Sequence, residues 1–126
     1  ACILLRPRHD KIVKSLKRMG VNINFITDGD VAGALLTAEK TSKVDIYIGI
    51  GGGPEGVLAA AALSCYGGQI QTRLVLNEKE KIKAKNMGII DVNKKYNIDD
   101  MIKDDVIFCA TAITDSDILN GVKNSI

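Results

Sequence analysis

Three short clusters hold most of the chemistry this sequence can offer. The first is Leu5-Arg6-Pro7-Arg8-His9, which follows an apolar run. Arginine is scarce in the chain, 4 against 13 lysines, and two of the four fall here. Guanidinium forks match phosphate oxygens bidentately, and Pro7 stiffens their presentation. The second cluster is Thr27-Asp28-Gly29-Asp30, where two carboxylates flank a glycine. Such a pair can accept hydrogen bonds from sugar hydroxyls or help to hold a metal. The third is Gly49-Ile50-Gly51-Gly52-Gly53-Pro54-Glu55-Gly56. Its glycines let a phosphate or sugar approach the backbone, and the helix start that follows favours anions.

Each cluster also has a plain structural reading. The arginines could be ordinary surface charges on a loop. Asp30 could cap the helix after it. The glycine run could be a turn whose Glu55 favours the helix dipole. Gly51, Gly53 and Gly56 fit the G-x-G-x-x-G spacing of a dinucleotide site, but Glu55 would repel a pyrophosphate unless a cation lay between. A carboxylate there suits Mg or Mn bridging to phosphate better. His9, the only histidine, excludes a multi-His metal site, and we read it as a loop residue or orienting donor rather than a base. Thr111 and Thr114-Asp115-Ser116-Asp117 could line the same edge, or form a turn and a helix cap.

Strand-like and helix-like segments alternate along the chain. Strands are expected at Cys2 to Leu5, Val21 to Ile26, Val44 to Ile50, Ile70 to Leu76 and Val106 to Ile113. Helices are expected after Pro7, with Ile12, Val13, Leu16 and Met19 on one stripe ended by Gly20. Further helices are expected over Val31 to Ala38, Glu55 to Tyr66, Glu78 to Asn86 capped by Asn77 and ended by Gly88, Ile98 to Ile102, and Ser116 to Lys123. The pattern predicts an α/β layered domain with a largely parallel sheet of about five strands flanked by helices. In a parallel sheet the three clusters sit at the same edge, where α/β folds bind ligands. Converged, two Arg, two Asp, a glycine turn and a Glu describe a site for a phosphorylated polyhydroxy compound with a divalent metal.

The 126 residues make one domain, residues 1–126, with 46% hydrophobic and 25% charged residues. A net charge of +2 and 4% aromatics argue against nucleic acid. The longest apolar stretch, Val57 to Leu63, is far short of the roughly 20 residues of a membrane span. Cys2, Cys65 and Cys109 lie in apolar surroundings, so buried thiols in a reducing, cytoplasmic setting are expected. No charged-then-apolar leader is visible. The first residues open directly into a strand pattern and the last follow a helix pattern without a stop, so a piece of a longer protein is expected.

These residues, in this order, resemble the class II fructose-1,6-bisphosphatases of the GlpX type. The matching stretches are Arg6-Pro7-Arg8-His9, Asp28-Gly29-Asp30-Val31-Ala32, Gly49 to Val57, Ala84-Lys85-Asn86-Met87-Gly88-Ile89 and Val106 to Thr111. The resemblance implies a metal-dependent sugar phosphatase of gluconeogenesis that removes the 1-phosphate of fructose 1,6-bisphosphate, using Mn or Mg. Some photosynthetic relatives also take sedoheptulose 1,7-bisphosphate. It implies substrate phosphate binding by Arg6 and Arg8, substrate contacts by Asp28, Asp30 and the Gly52 backbone, and a metal ligand in Glu55. Gly53 stands where the family usually has Ala. The family's other acidic metal ligands, and the Thr thought to help activate water, belong to an N-terminal half that nothing here matches. The resemblance therefore implies the substrate-binding C-terminal portion of the enzyme, with no catalytic residue of its own and no turnover alone. An apolar face left by the missing half could drive homo-oligomer formation.

Two other functions compete with this one. The first is a nucleotide-binding α/β module using the Gly51, Gly53 and Gly56 turn, which would bind NAD(P) without metal. The second is a regulatory domain that senses a sugar phosphate.

Overall fold

Local rules account for most of the elements. A computed structural model describes residues 1–115 and 119–123. Cys2–Leu4 forms strand β1, buried on every residue, as its unbroken apolar run requires. Pro7 opens a 3-10 turn, Pro7–His9, where its missing N–H costs no hydrogen bond. Helix α1, Asp10–Arg18, follows directly; Leu16 is buried, and Ile12 and Val13 are half-buried. Gly20, at φ 73, ends it, but Met19 lies past the last helical residue and is exposed. Strand β2, Asn24–Ile26, is shorter than the expected Val21 to Ile26, and Asn22 and Asn24 are exposed.

Helix α2, Asp30–Leu35, starts differently from expectation. Gly29 takes the cap position at φ 77, and Asp30 is the first helical residue. The Asp30 carboxylate accepts a hydrogen bond from the adjacent Val31 N–H at 3.0 Å. Helix α3, Gly53–Tyr66, carries the small residues Ala59, Ala60 and Ala62 buried beside Leu63. It packs against α2, and a core of Ala34, Leu35, Ala59, Ala62 and Leu63 forms between them. Ala38, Tyr47, Ile70, Ile98 and Phe108 pack on that core. Burying a Leu63-sized side chain stabilises the fold by about 1.5–3 kcal/mol. Gly33 permits a close approach: a Cβ there would lie 2.7 Å from Ile26 Cδ1 and 2.8 Å from Tyr47 Cε2.

β1 and β2 pair in parallel, with Ile3 opposite Phe25. On its other side β1 bridges Tyr47 in parallel: the Cys2 N–H donates to Ile46 O at 2.8 Å and the Ile48 N–H to Cys2 O at 3.1 Å. The ends after Leu4, Ile26 and Ile48 therefore point the same way. The expected strand from Val44 to Ile50 shortens to this bridge, because the glycines from Gly49 onward turn the chain into α3.

The second half is built of small pieces. Strand β3, Gln71–Arg73, is antiparallel to β4, Lys95–Asn97. Helix α4, Glu78–Asn86, is capped as expected: Asn77 accepts from the Glu80 N–H at 3.0 Å, and Glu80 accepts from the Asn77 N–H at 2.8 Å. Helix α5 covers Ile98–Met101.

The described residues thus form a mixed α/β unit with two two-stranded sheets, rather than one sheet of five strands. Val106 to Ile113, expected as a buried strand, is not one; Ile107 is 92% exposed and Ile113 85%. Phe108 reaches the core, while Ile107 and Ile113 find no cover among the described residues. The cysteines divide as well: Cys2 is buried, but Cys65 and Cys109 are exposed. Residues 116–118 and 124–126 lie outside the described residues. The helix expected at Ser116 to Lys123 falls partly there, and 119–123 carry no helix.

Candidate functional site

The parallel strand ends bring three loops together: Leu5 to His9 after β1, Thr27 to Asp30 after β2, and Gly49 to Gly52 after the Tyr47 bridge. The sharpest convergence lies over Gly51. The position a Cβ would take there is 2.9 Å from Asp30 Oδ2 and 3.3 Å from Glu55 Oε2. Two carboxylates from different helices thus flank one point above the glycine turn. Any side chain at Gly51 would intrude between them. Glu55 also anchors its own helix: its Oε2 accepts the Gly52 N–H at 2.8 Å. That satisfies one of the donors a helix start leaves open.

Arg8 belongs to the same assembly. Its Nε donates to Ile50 O at 2.6 Å, which ties the β1 loop to the glycine turn. With Nε committed to backbone, the two Nη groups remain the part of the fork that can grip an anion. His9 lies beneath, 0% exposed. The Ile50 N–H donates to its Nε2 at 2.9 Å, and its Nδ1 lies 2.7 Å from Leu4 O. The N–H and the carbonyl of Ile50 are therefore held by consecutive residues of the β1 loop.

Arg6 and Asp28 stand at the same edge but bond within their own loops. Arg6 Nη1 donates to Leu5 O at 3.0 Å, and Asp28 Oδ1 accepts the Gly29 N–H at 2.9 Å. Of the six residues the sequence points to, Arg8, Asp30, Gly52 and Glu55 meet directly around one turn. Thr111, Thr114 and Asp115 are exposed, with Asp115 Oδ1 accepting the Gly121 N–H at 2.7 Å; Ser116 and Asp117 fall outside the described residues.

Tyr47 is the residue the sequence did not flag. Its ring underlies the turn, with the hydroxyl 3.1 Å from the Cβ position of Gly49. Burial pushes its hydroxyl up to about 12, and the negative charges of Asp30 and Glu55 push the same way, while Arg8 opposes them. The phenol thus stays protonated and can donate. Alternation along Val44 to Ile50 could have shown that 44, 46 and 48 share one face and 47 the other, but not which face meets the site.

The donor set fits a hard cation in kind. Asp30 and Glu55 offer carboxylate oxygens, which suit Mg or Mn. Two carboxylates are fewer than an octahedral ion requires, and no group of three or more His, Cys, Asp or Glu able to hold a metal occurs among the described residues. Further ligands would come from water, substrate phosphate or residues beyond this chain. No helix of the described residues is long and apolar enough to cross a membrane.

Comparison with known proteins places this geometry in context. The profile of the family described as bacterial fructose-1,6-bisphosphatase, glpX-encoded, matches residues 1–125. The fructose-1,6-bisphosphatase class 2 of Haemophilus influenzae is 38% identical over 134 residues, covering 95% of this chain and 40% of that protein. The fructose-1,6-bisphosphatase 1 class 2 of Escherichia coli K12 is 38% identical over 135 residues, with the same two coverages. The chain spans about 40% of the length of these relatives.

Proposed function

The chain belongs to the glpX-encoded bacterial fructose-1,6-bisphosphatase family, and from that premise we propose that it is the substrate-binding portion of a sugar-bisphosphate phosphatase. The whole protein would hydrolyse the 1-phosphate of fructose 1,6-bisphosphate to give fructose 6-phosphate, in gluconeogenesis, in the cytoplasm. The single observation that carries this reading is the turn over Gly51, where Asp30 and Glu55 face one point and Arg8 is fixed to Ile50 O.

The roles follow from the chemistry of the side chains. Arg8, with Arg6 beside it, binds a phosphate group and neutralises charge that builds on its oxygens. Asp28 and Asp30 accept hydrogen bonds from sugar hydroxyls. The Gly52 backbone lies against the substrate, where a side chain would block approach. Glu55 would hold a Mn or Mg ion, with the remaining acidic ligands in the part of the protein outside this chain. When bound, such an ion polarises a phosphoryl oxygen and lowers the pKa of a coordinated water. Tyr47 keeps its proton and supports the turn from below.

Because no group of three or more His, Cys, Asp or Glu able to hold a metal occurs among the described residues, this chain by itself would bind but not turn over. We also propose that Val106 to Ile113 becomes a strand in the whole protein, extending the β2–β1–Tyr47 arrangement toward the five-stranded parallel sheet its pattern requires.

Phosphate release by the whole protein tests the function. With Mn or Mg, fructose 1,6-bisphosphate should yield inorganic phosphate, and Glu55→Ala should lower kcat at least 100-fold while the protein stays folded. Full activity in Glu55→Ala would overturn the metal role. Phosphate release by the pure 126-residue chain would overturn the division of labour. Tight NAD(P) binding with no response to the sugar bisphosphate would favour a nucleotide-binding module instead.

A further inference from the structure

The buried His9 is the one titratable side chain of the β1 loop that no substrate role employs, and its ring makes three polar contacts, to Leu4 O, Ile50 N and Ile50 O. Nε2 lies 2.9 Å from Ile50 N, whose N–H points at it, and 3.2 Å from Ile50 O, which already accepts from Arg8 Nε at 2.6 Å; the shorter contact makes Nε2 the acceptor for the Ile50 N–H, without a proton of its own. The other ring nitrogen, Nδ1, faces the carbonyl of Leu4 at 2.7 Å, and a carbonyl can only accept. Nδ1 therefore carries the ring proton and donates it to Leu4 O, and the imidazole is neutral. The ring is a rigid spacer between the end of β1 and the backbone of Ile50, the residue before Gly51. It is fully buried, and both nitrogens are used.

We infer that His9, as the neutral Nδ1–H tautomer, is a positioning residue for the glycine turn. It sets where the backbone of Ile50 lies, and through that residue it sets two things at once. One is the Gly51 to Gly52 backbone that lies against the substrate. The other is Arg8, whose Nε donates to the carbonyl of Ile50 at 2.6 Å. The inference rests on the proposed substrate site, because its kinetic consequence needs Arg8 and Gly52 to contact the sugar bisphosphate. The geometric part does not.

Two amide variants separate the two hydrogen bonds. His9→Gln can place an amide oxygen near the position of Nε2, keeping an acceptor for the Ile50 N–H. His9→Asn can place an amide N–H near the position of Nδ1, keeping the donor to Leu4 O. Each loses one buried hydrogen bond, so a merely structural role predicts similar damage from both. The positioning role predicts a split in the whole protein. His9→Gln should keep KM for fructose 1,6-bisphosphate within about threefold of wild type. His9→Asn should raise it tenfold or more, with comparable thermal midpoints for the two variants. Equal KM values in the two variants, or a larger effect in His9→Gln, would overturn the inference.

A measurement without substrate keeps the test independent of the enzymatic reading. Nitrogen-15 NMR of the histidine rings in the wild-type protein should show, for His9, one protonated Nδ1 and one bare Nε2. The opposite tautomer or an imidazolium at neutral pH would overturn the inference even if no variant folds. Hydrogen exchange of the Ile50 amide should be slow in wild type and His9→Gln and faster in His9→Asn. If the wild-type protein hydrolyses no sugar bisphosphate, the substrate proposal fails, and the tautomer and exchange results still decide the role of His9 on their own.

Discussion

Residues 1–66 and residues 67–123 solve the burial problem differently. The first region holds nearly all of the buried apolar side chains: Cys2, Ile3 and Leu4 of β1, Leu16 of α1, Ala34, Leu35 and Leu36, and Ala59, Ala60, Ala62 and Leu63. In the second region Ala84 alone among the described residues is buried. The second region is not poor in apolar residues. Val75, Ile82, Met87, Ile90 and Ile107 all stand in solvent, with Ile90 at 94% exposure. It holds to the first region through Ile70, Ile98 and Phe108 and through the Cys65 thiol, whose Sγ lies 3.6 Å from Val106 O. The site follows the same division. Arg8, Asp30, Gly52 and Glu55 all lie in the region that buries its own core, so their geometry rests on packing contained within this chain. The exposed apolar residues of the second region are those a partner surface would cover.

The largest expected effect breaks the comparison if it fails. Leu63→Ala should destabilise the chain by about 2–5 kcal/mol in urea unfolding, as for other buried leucines. Ile107→Ala in the same 126-residue chain should stay within about 0.5 kcal/mol of wild type, because its side chain has little to lose. In the whole protein Ile107→Ala should cost about 2 kcal/mol or more if Val106 to Ile113 joins a sheet. A small effect in both would remove the proposed strand.

Gly33→Ala probes the seam between α2, Ile26 and Tyr47. Its Cβ would press on Ile26 Cδ1 and the Tyr47 ring. Overpacking costs about 1–3 kcal/mol, and the better helix propensity of Ala returns about 1. A net loss of up to about 2 kcal/mol is expected in thermal unfolding. A clear stabilisation would mean that Ile26 and Tyr47 leave room for a methyl group at this seam.

Tyr47 gives the smallest and most specific effect. Its hydroxyl is raised to about 12 in the fold, above the ordinary 10.0, chiefly by burial. A group raised on folding contributes stability that is fully present below its unfolded pKa. Here that stability should fall as pH rises from about 10 through 12, where the unfolded phenol ionises first. Tyr47→Phe should remove that part of the alkaline slope, read by unfolding at stepped pH. An unchanged slope would place Tyr47 closer to water than its packing indicates.

What the sequence made legible was mostly local. The Pro7 start, the Gly20 stop, the Asn77 cap and the buried run of β1 each depend on a few neighbouring residues. Strand β4 went unseen because Lys95-Tyr96-Asn97 carries little apolar alternation and pairs with β3 across a long stretch of chain. Val106 to Ile113 reads as buried because apolar residues crowd it, but periodicity cannot name the surface that buries them. The site was legible to the extent that strand ends share an edge. That rule brought Arg8, Asp30 and Glu55 together without any distance being known. It could not reveal that Gly29 rather than Asp30 caps α2, with Asp30 Oδ1 on the Val31 N–H and Oδ2 facing Gly51. Nor could it show that His9 is buried, since a lone histidine in a loop carries no periodic signal.

The most direct test of the central claim is an amide NMR titration of the whole, isotope-labelled protein with fructose 1,6-bisphosphate in the presence of Mg. Shifts should centre on Arg6, Arg8, Asp28, Asp30 and Gly52, with residues 67–123 largely unmoved. Saturable binding with shifts centred on residues 67–123, or none at the glycine turn, would contradict it.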